Sequence, residues 1–203
     1  AAEKDGLMIA DALTTVKNVR YSFTSSGAMR ANCQVKLENN EYGYAASSGA
    51  ISTIGAYEGD KVILKDAQGE TLTGWQKIGG TWFYADANGV MQTGWVKTGG
   101  KWYWLAPDQN GAMATSAWVA DQGKRYYVDG KGVMKTGWIK TDEGWYYANK
   151  SGAQQNGWVK SGGKWYWLQG DEQGLMAASK WITDKGKNYY LANSGAMATK
   201  WIQ

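Results

Sequence analysis

Aromatic and aliphatic residues recur in short runs that are separated by glycine pairs and polar residues. In the stretch of residues 93–113, Trp95-Val96-Lys97 and Trp102-Tyr103-Trp104 lie on either side of Gly99-Gly100. Aromatic and β-branched runs predict β-strands, and a glycine pair between two of them predicts a hairpin with a two-residue primed turn. This stretch is therefore predicted to form one β-hairpin.

The predicted pairing gives the hairpin two unlike faces. Side chains alternate along a strand, so Trp95, Lys97, Trp102 and Trp104 share one face. Val96 and Tyr103 share the other face, which is an ordinary apolar surface. The first face is a wall of indoles. An isolated hairpin is marginally stable in water, so neighbouring hairpins are expected to cover it.

Copies of this hairpin fill two-thirds of the chain. Their first-strand tryptophans are Trp75, Trp95, Trp118, Trp138, Trp158, Trp181 and Trp201. Their second strands read WFY (82–84), WYW (102–104), RYY (125–127), WYY (145–147), WYW (165–167) and NYY (188–190). The steps of 20 or 23 residues add up to a superperiod, because Trp75, Trp138 and Trp201 are 63 residues apart. Self-similarity of this kind predicts an array of stacked repeats.

These motifs resemble the choline-binding (cell-wall-binding) repeats of Gram-positive surface proteins, whose pattern is GW, a short turn, WYY and then G-x-M-x-TGW. The resemblance extends from about Gly74 to Trp201. It implies an all-β solenoid, a left-handed superhelix of stacked β-hairpins with repeats of about 20 residues and three hairpins per turn. A superperiod of 63 residues is consistent with one such turn.

The resemblance also implies choline sites between successive hairpins, with two aromatic residues from one hairpin and the third from the next. The implied ligand-binding sets are Trp75, Trp82 and Trp104; Trp95, Trp102 and Tyr127; Trp138, Trp145 and Trp167; and Trp158, Trp165 and Tyr190. Two registers depart from the pattern, because Arg125 and Asn188 replace the second tryptophan. A guanidinium repels a quaternary ammonium, so four sites are expected.

An indole wall suits a quaternary ammonium for a physical reason. Ring faces attract a cation by about 0.5–1 kcal/mol when exposed and by about 2 kcal/mol or more when desolvated. The ligand has no N–H group, so the cage needs no carboxylate. The middle aromatic residues are predicted to pack on the opposite face; they are Phe83, Tyr103, Tyr126, Tyr146, Tyr166 and Tyr189. The methionines are also assigned to packing.

Residues 1–70 contain no tryptophan, yet glycines continue at the repeat spacing as Gly6, Gly27, Gly49 and Gly69. We therefore predict degenerate hairpin repeats over residues 1–70 and a choline-binding repeat module over residues 71–203. The unit before Gly49 fits only with a slip of one residue. The first region is interpreted as a stabilising cap, which repeat arrays need at their ends. A diverged face for another partner and an independent small domain are the alternatives.

Composition argues against most other functions. The chain has no histidine, which excludes Ser-His-Asp and Cys-His catalysis and the usual zinc sites. The acidic pairs Asp142-Glu143 and Asp171-Glu172 fall in predicted turns rather than in a glycosidase arrangement. The net charge of +4 is spread over single lysines, and no apolar run reaches the length of a membrane span. No enzyme activity, metal, cofactor, nucleic-acid partner or membrane span is expected, and Cys33 has no internal disulfide partner.

The sequence thus predicts a non-catalytic cell-wall attachment module that binds phosphocholine on teichoic or lipoteichoic acids. The protein is expected to be secreted and to reside at the cell wall or cell surface. A carbohydrate-binding module for an α-glucan ranks second, because the repeated polar neighbour of the rings is only a lysine. A surface protein that holds another protein through residues 1–70 is the third hypothesis. A homodimer through the carboxy-terminal repeat is also predicted, since Trp201 has no hairpin partner.

Overall fold

The computed structural model describes residues 12–31, 33–37, 41–66 and 68–199. The regular structure of these residues is β, apart from one 3-10 turn at Pro107–Gln109. Among them, no helix is long and apolar enough to cross a membrane. The chain divides into two compact units, Ala1–Ala114 and Thr115–Gln203, which are described separately below.

The described residues of the amino-terminal unit form eleven strands: β1 Leu13–Val16, β2 Val19–Ser22, β3 Cys33–Lys36, β4 Glu41–Ala45, β5 Ile51–Glu58, β6 Lys61–Leu64, β7 Gly74–Ile78, β8 Thr81–Ala85, β9 Gly94–Thr98, β10 Lys101–Ala106 and β11 Ala112–Met113. The carboxy-terminal unit has nine: β12 Ala117–Asp121, β13 Lys124–Val128, β14 Gly137–Lys140, β15 Trp145–Ala148, β16 Gly157–Ser161, β17 Lys164–Gln169, β18 Leu175–Met176, β19 Lys180–Asp184 and β20 Lys187–Leu191. The prediction of an all-β chain of hairpin repeats is confirmed.

The hairpin β9–β10 has the register that the sequence predicts. Trp95 lies opposite Trp104 and Lys97 opposite Trp102. Its turn residues Gly99 and Gly100 have φ angles of 56° and 73°. Positive φ at both central residues is the requirement of a type I′ turn, whose twist matches that of the flanking strands. The glycine pair is therefore the local cause of this hairpin.

The other predicted hairpins are β7–β8, β12–β13, β14–β15, β16–β17 and β19–β20. Four of them have a two-residue turn with positive φ at both residues, whereas β14–β15 has a four-residue loop over 141–144, because Lys140 pairs with Trp145. In all five the first-strand tryptophan lies opposite the third residue of the second-strand motif, as Trp138 lies opposite Tyr147. Trp201, the start of the next predicted repeat, lies outside the described residues.

A second small turn marks each repeat after its second strand. The Gly89 N–H donates to the Asp86 carbonyl at 3.0 Å, and Asp86 Oδ1 accepts the N–H groups of Asn88 and Val90. The same glycine-to-carbonyl bond recurs in the amino-terminal region at Gly27, Gly49 and Gly69. The same small turn therefore recurs before residue 70, while Gly6 lies outside the described residues.

The longer steps of 23 residues have a structural cause. After β10 the chain makes the 3-10 turn Pro107–Gln109, and after β17 it makes a turn over residues 170–174. Both turns return the chain as a short third strand, β11 on β10 and β18 on β17. The acidic pair Asp171-Glu172 lies in the second of these turns, as the sequence predicts.

The amino-terminal hairpins are joined edge to edge, unlike the later ones. The hairpins β1–β2, β3–β4 and β5–β6 form one six-stranded sheet, in which β5 pairs with β4 along its length and touches β2 at Ile51. Strand β5 has eight residues, which lets it pair with more than one neighbour. The register between β4 and β5 shifts between Tyr42 and Gly43. This sheet and the first two tryptophan hairpins belong to the same compact unit, which extends to Ala114, and the boundary at residue 70 stays a prediction.

The core of the amino-terminal unit joins that sheet to the first tryptophan hairpin. Phe83 on β8 is completely buried in a cluster with Tyr44, Val62 and Leu64. The rings of Tyr44 and Phe83 meet edge to face at 5.2 Å, and the Tyr44 hydroxyl lies 3.2 Å from Thr81 Oγ1. A tyrosine hydroxyl would have no water at position 83, which accounts for the phenylalanine there.

Candidate functional site

Each complete tryptophan hairpin holds two indoles at a right angle. The first-strand ring and the diagonal second-strand ring share one face of the hairpin, which brings them within reach of each other. Their centroids are 6.4 Å apart for Trp75 and Trp82, 6.5 Å for Trp95 and Trp102, 6.3 Å for Trp138 and Trp145, and 6.4 Å for Trp158 and Trp165. The interplanar angles are 87–90°. We call each such pair an indole corner.

The next hairpin adds a third ring to the corner, and this ring is the middle aromatic residue of its second strand. Tyr166 lies 4.7 Å from Trp138, and Tyr103 lies 4.9 Å from Trp75. Tyr189 lies 5.0 Å from Trp158. The middle tyrosines do occupy the opposite face of their own hairpins, but within each unit that face packs against the indole face of the preceding hairpin.

The third rings implied by the sequence each contact the first indole of their own hairpin. Trp104 lies 5.1 Å from Trp95, and Trp167 lies 5.2 Å from Trp158. Tyr127 and Tyr190 lie behind Trp118 and Trp181 in the same manner, at 5.2 and 5.3 Å. These residues therefore support the first indole of their own hairpin from the cross-strand position. The assignment of Trp104, Trp167 and Tyr190 as third walls of the preceding corner stays a prediction, and Tyr103, Tyr166 and Tyr189 are the rings of the next hairpin that contact the first indole of the corner.

One corner opens into a defined cavity. Trp138, Trp145, Tyr166, Met176 and Ser194 line a volume of about 310 Å³. None of these five side chains carries a charge. Trp145 is 41% exposed, so its ring face is available to a ligand. The second-strand indoles of the other corners are exposed to nearly the same extent, at 39% for Trp82, 40% for Trp102 and 41% for Trp165.

Hydrogen bonds hold the first indole of the corner in place. Trp138 Nε1–H donates to Ser161 Oγ at 3.1 Å, and Trp158 Nε1–H donates to Asp184 Oδ2 at 3.1 Å. In both pairs the acceptor is the last residue of the first strand in the next hairpin. The polar edge of the ring is thus satisfied and its face is left for the cavity. Neither acceptor belongs to the aromatic motif, so the sequence pattern does not predict these hydrogen bonds.

The glycine and methionine of the repeat form a contact between neighbouring repeats. A Cβ atom on Gly195 would collide with the thioether of Met176, and one on Gly152 would collide with that of Met134. Both glycines also have positive φ, 76° and 84°. Met176 therefore packs as predicted, and in addition it lines the cavity beside Trp138.

The register of Trp118 is occupied by the side chain of Arg125. The guanidinium carbon lies 4.8 Å from the centroid of the Trp118 ring, and Nη1 donates to the Gln173 carbonyl at 3.4 Å. Gln154 stands where the other repeats have methionine, and its amide donates to the same carbonyl. The sequence predicts that Arg125 repels a quaternary ammonium at this register. In the structure the Arg125 guanidinium also covers the Trp118 ring on which such a ligand would stack.

Acidic side chains surround the third ring of this register. Tyr146 lies 5.0 Å from Trp118 and donates its hydroxyl to Glu143 Oε2 at 2.6 Å. Burial, together with this hydrogen bond and the Glu143 charge, raises the pKa of Tyr146 to about 12. A cleft of about 510 Å³ beside Trp118 includes Asp142 and Glu143 in its lining. The Asp142-Glu143 pair thus lies in a turn, as predicted, and anchors a neighbouring ring.

The register of Trp181 has no second indole. Asn188 takes that position and accepts a hydrogen bond from Thr183 Oγ1 at 2.7 Å. Trp181 is 62% exposed, the largest value among the exposed apolar side chains. At this register the structure brings together two aromatic rings, Trp181 and Tyr190. They do not form an indole corner, because the second-strand tryptophan is replaced by Asn188.

Sequence comparison matches two families of repeats. Residues 72–118 and 135–181 match a family described as choline-binding repeat. Residues 116–134 and 179–197 match a family described as cell wall binding repeat. Together the matches run without a gap from residue 72 to residue 197. No curated protein matches the sequence.

Solved structures from Streptococcus pneumoniae have a similar fold. Choline binding protein F is 31% identical with a TM-score of 0.63, and the match covers 91% of this chain and 71% of that chain. The choline-binding domain of CbpL is 25% identical with a TM-score of 0.54, and the match covers 96% and 99%. The autolysin LytC, solved with a synthetic peptidoglycan ligand, is 27% identical with a TM-score of 0.56, and the match covers 93% of this chain but 42% of the autolysin.

Proposed function

The chain belongs to the choline-binding repeat family, and from that premise we propose that it attaches to phosphocholine on the teichoic or lipoteichoic acids of a cell wall without catalysing a reaction. The observation that carries the proposal is the uncharged cavity formed by Trp138, Trp145, Tyr166 and Met176. A quaternary ammonium has no hydrogen-bond donor, so ring faces and a thioether can hold it without a carboxylate.

We assign three complete sites within the compact units. They consist of Trp75, Trp82 and Tyr103; Trp138, Trp145 and Tyr166; and Trp158, Trp165 and Tyr189. The corner of Trp95 and Trp102 supplies the indoles of a fourth site. Three rings contribute roughly 3–5 kcal/mol, which corresponds to a dissociation constant on the order of millimolar for one site. Several weak sites facing a repetitive polymer bind it strongly through avidity.

Three features support the remaining parts of the proposal. Attachment to wall polymers requires a location outside the cell, which supports a secreted surface protein. The burial of Phe83 under Tyr44 supports a capping role for the amino-terminal sheet. The 62% exposure of Trp181 supports pairing of carboxy-terminal ends in a homodimer. Trp201, on which that prediction first rested, lies outside the described residues.

Choline at millimolar concentration is expected to change the intrinsic tryptophan fluorescence of the protein, because the ligand contacts indole faces directly. The protein should also be retained on a quaternary-amine matrix and be eluted by free choline. Glucose oligomers and a dextran column serve as controls, with no response expected. A response to glucan without one to choline would overturn the proposal.

The glucan alternative has one observation in its favour. The cleft beside Trp118 combines an aromatic ring with Ser116, Thr141 and Asp142, which is the mixture of stacking and directional polar groups that a sugar needs. The cavity beside Trp138 offers fewer such groups, because Ser194 is the one hydroxyl-bearing serine or threonine among its five lining residues. The dextran column therefore separates the two candidates.

Arg125→Trp combined with Gln154→Met is expected to create one additional choline site. The first change replaces the guanidinium on Trp118 with the missing indole, and the second restores the apolar side chain of the other repeats. Calorimetry should show the stoichiometry rising from about four to about five. Arg125→Ala alone removes the cation without adding a ring, and it should leave the stoichiometry unchanged. Choline stacked beside Arg125 in a soaked wild-type crystal would contradict this account.

A further inference from the structure

A lysine accompanies the second indole in each of the four hairpins that have one. The cross-strand pairs are Lys77 with Trp82, Lys97 with Trp102, Lys140 with Trp145, and Lys160 with Trp165. In every pair the lysine Nζ lies between 5.5 and 5.8 Å from the ring centroid. Where Arg125 and Asn188 replace the indole, the cross-strand residues are Ala120 and Thr183. Among these six hairpins the lysine is therefore present where the second indole is present, and it is not a general feature of the hairpin.

The lysine lies at the rim of the corner. It follows the first tryptophan by two residues on the same strand, as Lys160 follows Trp158, so both side chains project from one face. All four lysines are exposed. Among the described residues, none of the four is within ion-pairing distance of a carboxylate, whereas Lys65, Lys135 and Lys180 are. Within the part of the chain that the structure describes, each corner thus has an ammonium group that forms no ion pair, although Lys140 shares the lining of the cleft beside Trp118 with Asp142 and Glu143.

An ammonium group in this position is unfavourable for a bare cation. Two like charges about 4 Å apart repel by about 1 kcal/mol in water, and by more where water is excluded. A cation–π pair between the lysine and the second-strand indole would stabilise the hairpin by about 0.5–1 kcal/mol. The same lysine would weaken the binding of choline at the neighbouring corner. The interaction between the lysine and the ligand becomes attractive when the ligand carries a phosphate close to its quaternary nitrogen. Phosphocholine has such a phosphate, two carbons from its quaternary nitrogen.

We propose that Lys77, Lys97, Lys140 and Lys160 form phosphate subsites, each binding the phosphate of the headgroup whose ammonium occupies the neighbouring corner. The proposal rests on the choline-binding function inferred above and adds the part of the ligand that distinguishes the polymer from free choline. The indole corner selects the cation, and the lysine selects a zwitterionic phosphate ester. A Lys ammonium suits this role because it is a compact point charge for phosphate.

The test compares choline, phosphocholine and glycerophosphocholine by calorimetry on the full chain. Phosphocholine is a phosphate monoester, and glycerophosphocholine presents the phosphodiester of the polymer. The variant carries Lys77, Lys97, Lys140 and Lys160→Gln. A matched control carries Lys101, Lys124, Lys164 and Lys187→Gln. These lysines are equally exposed and begin the second strands of the hairpins, so the control removes the same charge from elsewhere.

We expect the wild type to prefer both phosphate esters over choline by about 1.5- to 5-fold per site at low salt. The rim variant should lose that preference while its affinity for choline stays equal or rises, and the matched control should keep the preference. An unchanged preference in the rim variant would overturn the phosphate subsites and leave the lysines as packing residues. Binding of neither choline nor the esters by the wild type would instead overturn the proposed function.

Salt dependence provides a second measurement that requires no variant. The Debye length falls from about 30 Å at 0.01 M salt to about 3 Å at 1 M. The preference of the wild type for the esters should therefore decline over this range, while the affinity for choline stays equal or rises because its repulsion by the lysine is screened. A preference that is independent of salt would contradict an ionic contact even if the rim variant failed to fold.

Discussion

Replacement of both Trp145 and Trp165 by alanine is expected to reduce retention on a phosphocholine polymer by about 100-fold or more. Each replacement removes the exposed wall of one corner, while the first indoles Trp138 and Trp158 keep their hydrogen bonds to the next hairpin. Attachment through several linked sites exceeds the affinity of one site by about 10²–10⁴-fold, so losing two of four sites has a large effect on the polymer. Calorimetry with free choline should show only a lower stoichiometry.

Trp181→Ala is the matched control for these two changes. It removes an indole of the same size from a register without a second tryptophan, and Trp181 is even more exposed. Its retention on the polymer should match that of the wild type, provided the measurement is made at a dilution where the chain is monomeric. Equal losses in the control and in the double variant would show that the corners are not the binding sites.

Phe83→Ala is expected to destabilise the protein by about 3–5 kcal/mol in urea unfolding, the usual cost of deleting a buried aromatic ring. Phe83 is 0% exposed and contacts Tyr44 and Leu64 from the amino-terminal sheet. The cavity left by alanine would separate that sheet from hairpin β7–β8. The loss of unfolding free energy in this variant therefore measures how far hairpin β7–β8 depends on the sheet that covers it.

Phe83→Leu keeps most of the buried volume and should cost less than about 1.5 kcal/mol. A cost below about 1 kcal/mol for Phe83→Ala would mean that the sheet is not coupled to the hairpin. That result would contradict a capping role for residues 1–70. It would favour the alternative in which this region serves another partner.

Local chemistry made the hairpins predictable. Each depends on residues within about ten positions of one another, such as Gly99 and Gly100 at positive φ and the alternating aromatic residues on either side. The glycine spacing likewise predicted the turns at Gly27, Gly49 and Gly69, although residues 1–70 have no tryptophan. The two indoles of each corner follow from the same alternation, because both belong to one hairpin.

Contacts between hairpins needed the tertiary structure. Alternation correctly placed Tyr166 on the opposite face of its hairpin, but it says nothing about what that face meets. In the fold it meets Trp138 of the preceding hairpin, and alternation along the strand could not predict that contact. The edge-to-edge joining of the amino-terminal hairpins through β5 has the same origin, since strand edges pair with whatever the fold brings beside them.

The Trp118 register separates the two kinds of information. The sequence by itself determined that Arg125 interrupts the aromatic motif and that a guanidinium is unfavourable beside a quaternary ammonium. Only the tertiary structure decided where the guanidinium lies: on the Trp118 ring, with a hydrogen bond to the carbonyl of Gln173, 48 residues away. Periodicity describes neighbours along a strand, whereas the position of a long side chain depends on the charges and carbonyls that distant turns place around it.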